Sequence, residues 1–169
     1  MTATPTTAEQ REHLYKLLKQ FSTAMLVTHA GLGKLRARPM AIAQIEDDGR
    51  VWFITGAESA KSHEIELDTH VHIICQNDRS AYLSLSGRAE LVRDRAKVAE
   101  LWQEPFRLWF PGGREDPSIE LIAVRPEEGE FWDNEGFNKI KYLFQAAKAC
   151  ATGTKPEVTE GAQHGCVRL

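Results

Sequence analysis

A chain of 169 residues with 21 basic and 24 acidic side chains carries a formal charge of −3, which excludes the basic excess typical of a nucleic-acid-binding protein. Its hydrophobic share of 42% suits a globular domain, and no apolar run approaches the roughly 20 residues that a membrane span needs. The length fits one domain, expected over residues 1–150, followed by a flexible Thr/Gly/Glu-rich tail over 151–169.

The pattern opens with a helix over Thr6–Phe21, where Thr6 and Glu9 fit a capping box and Leu14, Leu17, Leu18 and Phe21 share a face. Thr23–Ala30 is the first predicted strand, and Gly31-Leu32-Gly33 turns the chain into a second over Lys34–Ile45. Asp47-Asp48-Gly49 signals a hairpin into a third strand, Val51–Thr55, and Ser59–Asp68 predicts a short helix. Strands follow over Val71–Gln76 and Ala81–Leu91, and Asp94 caps a helix running to Trp102. Pro105–Pro117 is loop-like, Ile119–Val124 and Glu130–Asp133 are separate strands, and Phe137–Cys150 is an amphipathic helix. About six strands with inserted helices predict a small, mainly β barrel of the α+β type.

Two stretches carry chemistry. Arg36 and Arg38 share a face of the second strand, and Pro39 marks an edge or irregularity beside them. Further on, the strand ending at Thr55 breaks at Gly56 and enters a helix at Ser59 with Lys61 in its first turn. Lysine is disfavoured there by the helix dipole, a conflict that a bound anion removes. Arg38 with Lys61, Ser59 and Thr55 therefore forms a candidate phosphate site, with Arg36 secondary.

Other motifs carry less. Gly31-Leu32-Gly33-Lys34 fails as a P-loop, because Leu35 stands where Ser or Thr must hold magnesium. His70 and His72 share a strand face without a third ligand at metal-binding spacing, so no metal site is expected. Cys75, Cys150 and Cys166 are too few and too scattered for a disulfide framework. The start Met1-Thr2-Ala3-Thr4-Pro5 lacks export-signal features, so the expected location is the cytoplasm.

In order and spacing, several segments together resemble the flavin-binding split-barrel proteins related to pyridoxamine 5′-phosphate oxidase, in their general stress protein branch. They are Arg38-Pro39-Met40, Trp52-Phe53-Ile54-Thr55, Ser59-Ala60-Lys61, Leu85-Ser86-Gly87-Arg88-Ala89, Trp109-Phe110-Pro111-Gly112-Gly113 and Trp132-Asp133. The resemblance implies a six-stranded split β-barrel of the FMN-binding type, forming a homodimer with flavin sites between subunits. It places the FMN phosphate on Arg38 and Lys61, with Ser59 adding a hydrogen bond next to Ala60. It lays Pro39 and Met40 along the isoalloxazine, has Phe53, Ile54 and Thr55 line its other contacts, and has Trp109 contributed by the partner. FAD is the alternative cofactor. No catalytic side chain is singled out.

The implied function is a stress-response flavoprotein, with a flavin-dependent oxidoreductase of unknown substrate as its enzymatic form. A non-catalytic flavin-sequestering module, or a split barrel using haem or a deazaflavin, remains open beside it. Pyridoxamine phosphate oxidases carry a C-terminal Arg-Leu-x-Pro substrate motif, whereas this chain reads Val167-Arg168-Leu169. Pyridoxamine phosphate is therefore not the expected substrate.

Overall fold

The computed structural model describes residues 7–77, 81–133 and 164–169. The order of elements is α1 (Thr7–Leu18), β1 (Thr23–His29), β2 (Leu35–Ala41), β3 (Gln44–Ile45), β4 (Val51–Gly56), α2 (Ala60–Leu67), β5 (His70–Gln76), β6 (Ala81–Val92), α3 (Arg95–Leu101), two 3₁₀ turns (Glu104–Leu108 and Gly113–Glu115), β7 (Ile119–Asp133) and β8 (His164–Arg168). The strands form one antiparallel sheet in the order β2-β1-β5-β6-β7-β4-β3, with β8 added beside β7. The helix expected over 137–150, and with it Cys150, lies outside the described residues.

The sheet curls because two segments change partner along their length. The predicted strand over residues 34–45 is two strands. Its first part, β2, pairs with β1, while β3 pairs with β4. Between them Ile42 N–H bonds Ser22 and Ala43 N–H bonds Trp52, carrying the chain from one flank of the sheet to the other. Conversely, the two strands expected over 119–124 and 130–133 are one, β7. It pairs with β6 along its length, with β4 over its first half and with β8 over its second. Pro126, which cannot donate to a ladder, sits where β7 has left β4 and not yet met β8, opposite the register shift at Ser86/Gly87. Gly87 is required there, since a Cβ would lie 2.2 Å from the Arg125 carbonyl oxygen. The six-stranded expectation thus becomes eight strand segments in the same curled α+β architecture.

Alternation along the strands decides what is buried. Leu26, Val51, Phe53, Ile73, Leu83, Leu85, Ile122 and Phe131 point inward, and α1 closes this core with Leu14, Leu17 and Leu18. On the opposite face of β4 and β7, Trp52, Ile54, Leu121 and Ala123 form a second cluster with Val98 and Leu101 of α3 and with Phe106. Helix α1 is seated by Tyr15, whose hydroxyl donates to the Asp48 carbonyl at 3.1 Å. Gly49 makes room for that ring: it has φ +85° and a Cβ would lie 2.4 Å from Tyr15.

The expected flexible tail over 151–169 needs correction at its end. His164–Arg168 is a strand, and Val167 is 1% exposed within the main core. One valine sufficed because Gly165 lets the Phe131 ring pack directly against the β8 backbone. None of the described helices is long and apolar enough to cross a membrane.

Candidate flavin cleft

Strand β2 presents Arg36 and Arg38 to α2, as the period of two requires. Being at the sheet edge, it tolerates Pro39. Arg38 Nη2 donates to Glu64 Oε2 at 2.7 Å, and Arg36 Nη1 donates to Glu64 Oε1 at 3.1 Å. The Arg38 side chain is 21% exposed against 62% for Arg36, so Arg38 is the buried member of the pair.

Helix α2 begins where β4 ends, and a hydroxyl network fixes the junction. Ser59 is the N-cap and accepts from Ser62 N–H at 3.3 Å. Its hydroxyl also meets Thr55 at 3.1 Å and the Ser62 hydroxyl at 3.0 Å, while Ser62 donates to the Gly56 carbonyl. This places Lys61, in the first turn, beside Arg38. Burial first, and then the Arg38 charge, push the Lys61 ammonium below its ordinary value, with Glu64 acting against them. Among the described residues Lys61 makes no ion pair.

Arg38 and Lys61 line a cleft of about 510 Å3, within the range of small-molecule sites. Its remaining walls are Pro39, Met40 and Ala41 of β2, Ile54, Thr55 and Gly56 of β4, Phe106 of the first 3₁₀ turn, Trp109 and Phe110 just after it, and Ser118. Seven of the ten expected site residues meet here: Arg38, Pro39, Met40, Ile54, Thr55, Lys61 and Trp109, the last from the same chain rather than from the partner as expected. Phe53 does not, because it alternates with Ile54 and is fully buried in the main core. Ser59 stands behind the wall as the cap, and Ala60 is exposed outside the lining. The sequence reading passed over Phe106, Ser118 and Glu64. Phe106 and Phe110 are joined by a backbone hydrogen bond at 3.1 Å, a four-residue spacing visible in the aromatic loop. Glu64 gave no comparable signal.

A flat ring with an anionic tail fits this geometry. Arg38 and Lys61 supply the positive charge of the cleft, and Met40, Ile54, Phe106 and Phe110 supply its apolar lining. A second depression of about 480 Å3, around His70, Ser86 and Glu128, has no Phe, Tyr or Trp in its lining. No group of three His, Cys, Asp or Glu among the described residues could hold a metal ion. His70 instead pairs with Asp68 at 2.7 Å.

A sequence profile of the family described as pyridoxamine 5′-phosphate oxidase like matches residues 9–157. The chain belongs to that family. Several of the chain's fold neighbours are described as general stress proteins. A solved structure assigned as general stress protein 26 of Jannaschia sp. CCS1 superposes with a TM-score of 0.72 at 26% identity, covering 97% of this chain and all of the other. The general stress FMN/FAD binding protein of Xanthomonas citri superposes at 0.64 with 30% identity, covering 76% of this chain and 92% of the other. The protein bli-3 of Neurospora crassa is 33% identical over 103 residues, 55% of this chain, and the chain spans about half, 49%, of that relative's length. Family membership accounts for the curled sheet.

Proposed function

We propose that the protein is a dimeric FMN-binding stress-response flavoprotein that holds the flavin phosphate between Arg38 and Lys61. The observation carrying this reading is the pair of cations, one without an ion-pair partner among the described residues, in the lining of a largely apolar cleft. The FMN/FAD binding relative from Xanthomonas citri supports it. Pro39 and Met40 flank the ring along one side, Ile54 and Thr55 along the other, and Trp109 stands at the rim. FMN is favoured over FAD because the cleft offers cations for one phosphate group and no second basic pair for a diphosphate. When bound, the flavin accepts and donates electrons, while the chain binds it, orients it and excludes water from one face.

The dimer follows from what a single chain leaves uncovered. Met25, Ile74, Tyr82 and Trp132 are between 37% and 47% exposed on the outer sheet face. Met25 pairs with Ile74 and with Pro39, so this apolar stripe begins at the cleft wall. A second copy covering the stripe would close the cleft beside the 64%-exposed Trp109. A cytoplasmic location belongs to the same reading, and Cys75 and Cys166 form no disulfide among the described residues.

The non-catalytic reading draws support from the lining itself, which contains no carboxylate and no imidazole. Two measurements test these readings. The visible spectrum of the purified protein separates flavin from haem and deazaflavin. Stopped-flow oxidation of NADH and NADPH separates an oxidoreductase from a sequestering module. A colourless protein that takes up no added FMN would refute flavin binding in any form.

A further inference from the structure

We propose that Glu64 is the positioning residue of the cleft: its carboxylate holds the Arg38 guanidinium at one angle and supplies the negative charge that lets Arg36, Arg38 and Lys61 share one site. The inference rests on the cleft being a phosphate site, but a separate set of contacts carries it. Glu64 is only 6% exposed, and both of its oxygens are engaged. Oε2 accepts from Arg38 Nη2 at 2.7 Å and from the Thr28 hydroxyl. Oε1 accepts from Arg36 Nη1 at 3.1 Å. The Thr28 hydroxyl in turn accepts from Arg38 Nη1. Arg38, Thr28 and Glu64 thus close a ring of hydrogen bonds between β2, β1 and α2.

The ring acts on the cleft because of what it leaves over. A guanidinium has five N–H donors in a rigid fork. Two go back into the ring, which fixes its plane and leaves the others for a ligand. An arginine without such backing would have to give up rotamer freedom on binding.

The charges argue the same way. Burial would raise the Glu64 carboxyl, but hydrogen bonds from Thr28 and Arg38, with the Arg38 and Arg36 charges, outweigh it and hold the group below its ordinary value. Glu64 therefore stays ionised at neutral pH. Its charge opposes the burial and the Arg38 repulsion that disfavour the Lys61 ammonium. Lys61 and Glu64 are three residues apart on one face of α2, so the same helix turn carries the cation and its support.

The test uses side-chain NMR on isotope-labelled whole protein, which needs no flavin, followed by titration with FMN and riboflavin. In the wild type the Arg38 guanidinium resonances should be separate and slowly exchanging. In Glu64→Gln they should average, and Lys61 should titrate at lower pH. Glu64→Asp keeps the charge but shortens the reach, so it should restore the Lys61 titration and leave Arg38 averaged. FMN affinity should fall about three- to tenfold in both variants with riboflavin unaffected. In Glu64→Gln alone, the loss should steepen at alkaline pH. Unchanged Arg38 and Lys61 signals in Glu64→Gln, or tighter FMN binding by that variant, would overturn the proposal. If the signals change as expected but the wild type binds FMN no better than riboflavin, Glu64 keeps its role and the flavin-phosphate reading falls. Should Glu64→Gln not fold, Thr28→Val removes one member of the ring without touching a charge. Averaged Arg38 signals in that variant support the ring, and unchanged ones refute it.

Discussion

Replacing Lys61 with methionine removes one charge from the cleft while keeping a long apolar stem, and the surroundings make it the cleanest probe of the phosphate site. Lys61 makes no ion pair among the described residues, so its loss strands no buried carboxylate. Arg38 differs, because its removal would take one donor from the buried Glu64, leaving it Thr28 and Arg36, and one from Thr28. A hydrogen bond to a charged group is worth roughly 1.5–3 kcal/mol, so Lys61→Met should weaken FMN by about one to two decades. Riboflavin, lacking the phosphate, should lose little. The assay is fluorescence titration of both flavins against wild type and variant at two salt concentrations. Burial and the Arg38 charge lower the Lys61 value, so the free cleft loses this cation as pH rises, before an ordinary lysine would. A bound phosphate restores the proton. Wild-type FMN binding should therefore take up protons on the alkaline side, read by calorimetry in buffers of different ionisation enthalpy. Lys61→Met should abolish that uptake. Equal weakening of riboflavin and FMN, with no change in proton uptake, would refute the placing of phosphate at Lys61.

Arg38→Ala should weaken FMN by a similar factor and also lower the melting temperature, since it removes a charge-assisted hydrogen bond to the buried Glu64, worth roughly 1.5–3 kcal/mol. Arg36→Ala, at a 62%-exposed side chain, should cost less than about 1 kcal/mol and change FMN binding little. Ile74→Glu, in the apolar stripe, should yield a monomer by sedimentation that retains flavin poorly, and a flavin-saturated dimer would contradict the interface. Val167→Ala should destabilise the fold by about 1.5–3 kcal/mol in denaturant unfolding, whereas a flexible tail would show no effect.

Where a strand keeps one partner and one buried face, the sequence told its story. β1, β5 and β6 alternate with a period of two, and their bounds fell close to prediction. Partner exchange leaves no such trace. The break at Ile42–Ala43 follows from where β1 and β4 begin, and the continuity of β7 through Pro126 depends on a gap between β4 and β8. β8 was hidden because its burial depends on Phe131 lying over Gly165, a contact 34 residues distant in sequence. Within the site, Phe53 and Ile54 looked alike until parity assigned one to each face. Glu64 was missed since α2, AKSHEIEL, offers too few apolar residues to mark a buried face, and what buries Glu64 is two arginines from another strand.

The charged and apolar parts of the cleft lining differ in how much they could reveal, for a physical reason. Three cations gathered around one carboxylate, with a lysine in the first turn of a helix, make an arrangement that a fold does not form for its own stability. Such a conflict needs an outside partner, and an anion relieves each part of it: the Lys61–Arg38 repulsion, the lysine against the helix dipole, and the unpaired ammonium. Anion recognition and conditional stability are therefore one property of the charged part, and it stands out even in a bare sequence. The apolar lining is made of Met40, Ile54, Phe106 and Phe110, side chains that a packed core would use equally well. Chemistry at a bound flavin ring would happen there, and its specificity would come from the shape that a second subunit completes rather than from any residue type the chain displays.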